Sequence, residues 1–100
     1  MMSKALEHLH ALMTQSLVAW RLTGTVHGTN DGAILISCQG HNIRIEQAPP
    51  HLPFQWFVII DNRRRPAISL VAVLRQVRSV LDPGYATMRA RIAPLALVTT

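Results

Sequence analysis

A chain of 100 residues, 49% hydrophobic and only 15% charged, has the length of a single domain and the opposite balance to a disordered segment. Ten basic against five acidic residues leave a formal charge of +5, nine of the ten being arginine, which favours polyanions or acidic partners without bearing on the fold. The best apolar runs, Phe57 to Ile60 and Leu70 to Leu74, fall far short of the about 20 residues that cross a bilayer.

Glu7, His8 and His10 interrupt what would have to be the apolar core of a signal peptide, and the lone Cys38 agrees with a reducing compartment. The expectation is one cytoplasmic domain with no membrane partner.

In chain order, Ser3 is placed as an N-cap, and Leu6, Leu9, Met13, Leu17 and Trp20 follow at helical spacing, predicting an amphipathic helix from Lys4 to Val18. Three segments of period-2 character come next, Trp20 to Gly28, Ala33 to Cys38 and Asn42 to Gln47, which predict an antiparallel meander. A three-residue loop, Asn30-Asp31-Gly32, with Gly32 left-handed, sets Val26 opposite Ile36 and places Leu22 on the same face. A two-residue turn, Gly40-His41, sets Cys38 opposite Ile43 and Ile36 opposite Ile45 on an apolar face. It sets Gln39 with Asn42, Ser37 with Arg44 and Leu35 with Glu46 on the other.

Pro49, Pro50 and Pro53 make Ala48 to Pro53 a loop. Phe54 to Asp61 is apolar on both faces and reads as a covered strand, central or packed on both sides. After Asn62-Arg63-Arg64-Arg65, Pro66 suits the first turn of a second helix, in which Leu70, Val73, Leu74, Val77, Val80 and Leu81 share one face until Asp82-Pro83-Gly84 stops it. An apolar tail, Leu95 to Val98, is placed as a C-terminal edge strand or as a segment that docks on a second copy. The fold class is α+β, in one domain covering residues 1–100. That element order occurs in many small modules and transfers no function by itself.

Arg63, Arg64 and Arg65 stand out because they precede a helix N-terminus, where positive charge is unfavourable unless an anion balances it. Arg75 and Arg78, one helical turn apart, and Arg89 and Arg91 extend the basic patch, and the guanidinium fork suits phosphate. The plainer alternative is a solvated loop paired with Asp61 and Glu46. On the open face of the meander, Thr23, Thr25, Ser37, Asn42 and Arg44 form a polar surface without the exposed aromatics that base stacking requires.

Glu7 and His10 are three apart on a helix, but His8 and His10 diverge, and with one cysteine no metal set is assembled. Cys38 and His41 lie near one turn, with Cys38 on the apolar side where burial leaves a thiol inert. Asp31, Asp61 and Asp82 sit at turns, where aspartate caps locally.

Neither a catalytic residue, a metal nor a cofactor is assigned. The leading expectation is a non-catalytic interaction module, a protein binder or homodimer working through a sheet edge, with Ile92, Leu95, Leu97 and Val98 as the associating segment. The second is a nucleic-acid or other polyanion binder using Arg63, Arg64 and Arg65, supported by Arg75 and Arg78.

Overall fold

The computed structural model describes residues 3–82 and 84–85, and runs helix α1 (Lys4–Ala19), strands β1 (Gly24–Gly28), β2 (Ala33–Cys38), β3 (His41–Gln47), β4 (Trp56–Ile60) and β5 (Arg63–Ala67), then helix α2 (Leu70–Leu81). The strands form one antiparallel sheet in the order β1-β2-β3-β4-β5, each pairing with its neighbour in sequence. The fold is α+β, as the sequence implied, with a fifth strand that the sequence had not revealed.

Alternation along the strands sends Ile34, Ile36 and Cys38 of β2, Ile43 and Ile45 of β3, and Trp56, Val58 and Ile60 of β4 to one face. Leu6, Leu9, Met13 and Leu17 of α1 and Val73, Val77 and Leu81 of α2 close that face into one core. The helices divide the sheet between them, α1 over β1 and β2 and α2 over β3, β4 and β5. Among the described residues the opposite face carries no second layer. There Phe57 and Ile59 are half-buried, so β4 is flanked by strands on both edges but packed by helices on one face only. The expectation of a central strand holds in that sense.

Both helices start as polar N-caps dictate, Ser3 Oγ accepting from Leu6 N at 3.2 Å and Ser69 Oγ from Ala72 N at 3.2 Å. Pro66 therefore does not open α2; it belongs to β5. The end of α1 explains why Trp20 to Thr23 is not strand. Leu22 N donates to Leu17 O (2.9 Å) and Arg21 N to Val18 O (3.0 Å), with Arg21 left-handed at φ 59°, a Schellman closure built without glycine.

Turn chemistry fixes the register. The Asn30-Asp31-Gly32 loop stands as expected, with Gly32 at φ 82° and Val26 opposite Ile36. The next turn is corrected: it is Gln39-Gly40, with φ 55° and 77°, and pairs Cys38 with His41, Ile36 with Ile43 and Ile34 with Ile45. Glycine is the second residue of a type I′ turn and not the first of a type II′. On the open face Ser37 meets Asn42, Leu35 meets Arg44 and Ala33 meets Glu46, in place of the expected partners. The slip is two positions in pairing, so every side chain keeps its face. Asp61 and Asn62, at φ 52° and 63°, form the corresponding turn that starts β5.

Candidate functional site

The residues that carry functional interest lie along the two edges of the sheet. Alternation in an antiparallel ladder points the peptide groups of every second edge residue outward. In β1 the Thr29 N to Ala33 O bond (2.9 Å) places Thr25 and His27 in the ladder and leaves Gly24, Val26 and Gly28 facing out. In β5 the two-residue turn closes on Ile60 and Arg63, so Arg63, Arg65 and Ala67 bond inward while Arg64 and Pro66 face out.

The β5 edge is guarded. Pro66 has no N–H to offer, and its carbonyl accepts a hydrogen bond from Gln76 Nε2 of α2 at 3.1 Å. Only the N–H and C=O of Arg64 remain outward, between exposed arginine side chains.

Most of the β1 edge is open. Four of its five residues are exposed and Val26 is half-buried. His10 Nε2 lies 3.0 Å from Val26 O, which occupies one acceptor position of that carbonyl and leaves the Val26 N–H and the Gly24 and Gly28 groups outward. Beside this edge runs a groove of about 390 Å³ lined by His10, Thr14, Leu17, Val18, Leu22 and Val26 among others. Val18, on its rim, is 74% exposed. Gly24 is sterically required here, since a Cβ would stand 2.6 Å from Cys38 Cβ and 2.7 Å from Ser37 O.

The expected arginine cluster is divided by strand alternation. Arg64 lies on the open face, where its guanidinium covers the Phe57 ring at 4.8 Å and its Nη2 reaches Glu46 Oε1 at 3.3 Å. Phe57 in turn meets Phe54 edge-on at 4.9 Å, so this face holds an aromatic pair that the sequence had placed in a covered strand. Arg44 completes the network through Glu46 (2.7 Å) and Asp31 (2.5 Å). The Thr29 hydroxyl and then Arg44 hold the Asp31 carboxyl below the usual carboxylate range.

Arg63 and Arg65 share the helix side with Ile60 and Val58, their register partners. None of the three arginines sits at the N-terminus of α2, where Ser69 is the cap, so the sequence-derived anion site at that terminus is withdrawn. Arg75 is exposed and lines a groove with Arg65. Arg78 is not a free solvent-side cation: Asp82 lies 3.4 Å away, and its guanidinium stacks over Trp20 (5.3 Å) and Tyr85 (4.4 Å). Arg89, Arg91, Ile92, Leu95, Leu97 and Val98 lie outside the described residues.

A cavity of about 780 Å³ is bounded by Pro49, Pro50, Pro53, Phe54, Trp56 and Ile68 among others, none of its lining residues being ionisable. Trp56 is 3% exposed, and its Nε1–H has no hydrogen-bond partner among the described residues.

Cys38 and His41 are direct cross-strand partners, closer in register than the sequence suggested, but no hydrogen bond joins them among the described residues. Burial pushes the Cys38 thiol up, away from the thiolate. Among the described residues no three His, Cys, Asp or Glu side chains converge as metal ligands, and no helix is long and apolar enough to cross a membrane. Comparison with protein-family models, curated proteins and solved structures found no match.

Proposed function

We propose that this chain is a small non-catalytic interaction module that associates by strand addition at β1, with a second copy of the chain as the occupant. The observation that carries this reading is the asymmetry of the sheet: among the described residues one edge is blocked and the other presents peptide groups without a partner beside an apolar groove.

The sequence of β1 favours a like partner. Gly-Thr-Val-His-Gly has Val26 at its midpoint and a glycine two residues to each side. An antiparallel pairing about a twofold axis at Val26 sets Gly24 against Gly28 of the other copy, so every outward group meets an outward group and neither glycine presents a side chain to clash. Val18 and Leu22 border the joint and lose exposed apolar surface.

Sedimentation of the full chain from low to high micromolar concentration tests this. Expected is a concentration-dependent dimer that Val18→Lys and Val26→Pro both abolish while the fold persists. A strict monomer across that range contradicts it, as does a dimer indifferent to both changes, which would use another surface.

A further inference from the structure

The edge-pairing proposal leaves unused the helix side of β5, where the charge distribution is lopsided. Of the cations in the described residues, Arg44, Arg64 and Arg78 each have a carboxylate within 4.0 Å. Arg63, Arg65 and Arg75, like Lys4 and Arg21, have none among the described residues. The carboxylates are placed elsewhere: Asp31 and Glu46 on the open face, Asp82 beyond α2, and Glu7 on α1. Asp61 is nearest to Arg63 in sequence, yet no ion pair joins them. Strand alternation thus delivers Arg64 to a face where Glu46 receives it, and delivers Arg63 and Arg65 to the helix side, where no carboxylate among the described residues pairs with them.

Arg65 and Arg75 line one groove of about 320 Å³, with Ala72, Gln76, Ser79 and Val80 as its remaining walls. Among the described residues no carboxylate and no aromatic ring borders it. Arg63 continues the row along β5, two residues or about 6.7 Å from Arg65, a spacing that lets successive phosphates of an extended strand meet successive guanidinium forks. We infer that this ridge, Arg63, Arg65 and Arg75, binds the phosphate backbone of single-stranded nucleic acid. Guanidinium forks pair bidentately with phosphate oxygens, and contact through phosphates alone carries no base-sequence information.

Edge protection alone also explains arginines on β5, because any charge there opposes sheet-to-sheet pairing. It does not explain Arg75, which lies on α2 and faces the same groove. The two accounts part at Arg65→Lys, which keeps the edge charge and loses the fork.

The test is fluorescence anisotropy of a labelled oligothymidylate with the full chain, titrated with salt, alongside polyglutamate, heparin and phosphatidylserine vesicles. Expected is binding whose log–log salt slope is about −2, as three phosphate contacts give. Arg75→Ala and Arg65→Lys each weaken it roughly three- to tenfold, with Arg75→Ala flattening the slope by about 0.7. Lys4→Glu, a larger charge change on α1 and outside the ridge, leaves the contact in place. Because Arg75 is exposed on a helix, its variant keeps the thermal midpoint and separates loss of binding from loss of fold.

Oligonucleotide binding that ignores both arginine variants overturns the proposal. So does the absence of salt-sensitive binding, or capture of polyglutamate, heparin or vesicles while the oligonucleotide stays free. Monomer or dimer, the ridge is untouched by Val26→Pro, so failure here and failure of the β1 pairing are read separately.

Discussion

The two edges of this sheet obey the same ladder geometry and are finished in opposite ways. At β5 the outward positions fall to Arg64 and Pro66, a charged residue and one lacking an N–H, and Gln76 covers the proline carbonyl. At β1 they fall to Gly24, Val26 and Gly28, and among the described residues the only side-chain cover is His10 on a single carbonyl. Neither edge is long, five residues in each case, so length does not protect one over the other. Side-chain chemistry at alternate positions decides which edge is closed to pairing.

The comparison is broken most severely by moving proline one residue along an edge. Thr25→Pro and Arg65→Pro each remove an inward N–H and strand a ladder carbonyl, and chemical denaturation should show losses of about 2–3 kcal/mol. Val26→Pro removes an outward N–H and should cost less than half as much, just as Pro66 is accommodated natively. Equal losses at Thr25 and Val26 would show that the assigned ladder parity is wrong.

Gly24→Ala follows, with an expected loss of about 1–3 kcal/mol, because the new Cβ meets the backbone of Ser37 as well as the Cys38 side chain. Its measurement is the urea midpoint. Arg21→Gly should go the other way by about 1 kcal/mol, relieving a left-handed non-glycine residue at the end of α1. Smallest is Val18→Lys, which should shift stability by less than about 0.5 kcal/mol while removing self-association. Cys38 supplies a check on the core beneath: burial raises its thiol, so alkylation at neutral pH should proceed only as the chain unfolds.

How far the sequence alone reaches is visible in these same residues. The helices were legible from their sharply periodic apolar stripes, with Ser3 marking the start of the first while Pro66 was taken for the start of the second in place of Ser69, and the strand faces because alternation survives a register slip of two. Strand β5 was hidden by composition: three arginines and a proline lack the apolar signal of a strand, and what makes the segment extended is the Asp61-Asn62 turn returning it alongside β4. That turn signal stood in the sequence, as Asp and Asn are among the few non-glycine residues that tolerate positive φ.

The end of α1 offered no such signal, since arginine occupies the left-handed position that glycine usually takes. Arg65 and Arg75, ten positions apart in sequence, share a groove only because α2 packs back across β4 and β5, a long-range placement that no local pattern encodes.

The most direct test sets the two outward amides against each other. Amide hydrogen exchange at Val26 and Arg64, followed from micromolar to millimolar protein, reads both edges in one experiment. Protection of Val26 that grows with concentration, while Arg64 stays constant, is the result the β1 pairing predicts. Protection that stays flat at Val26, or grows at Arg64, would contradict it.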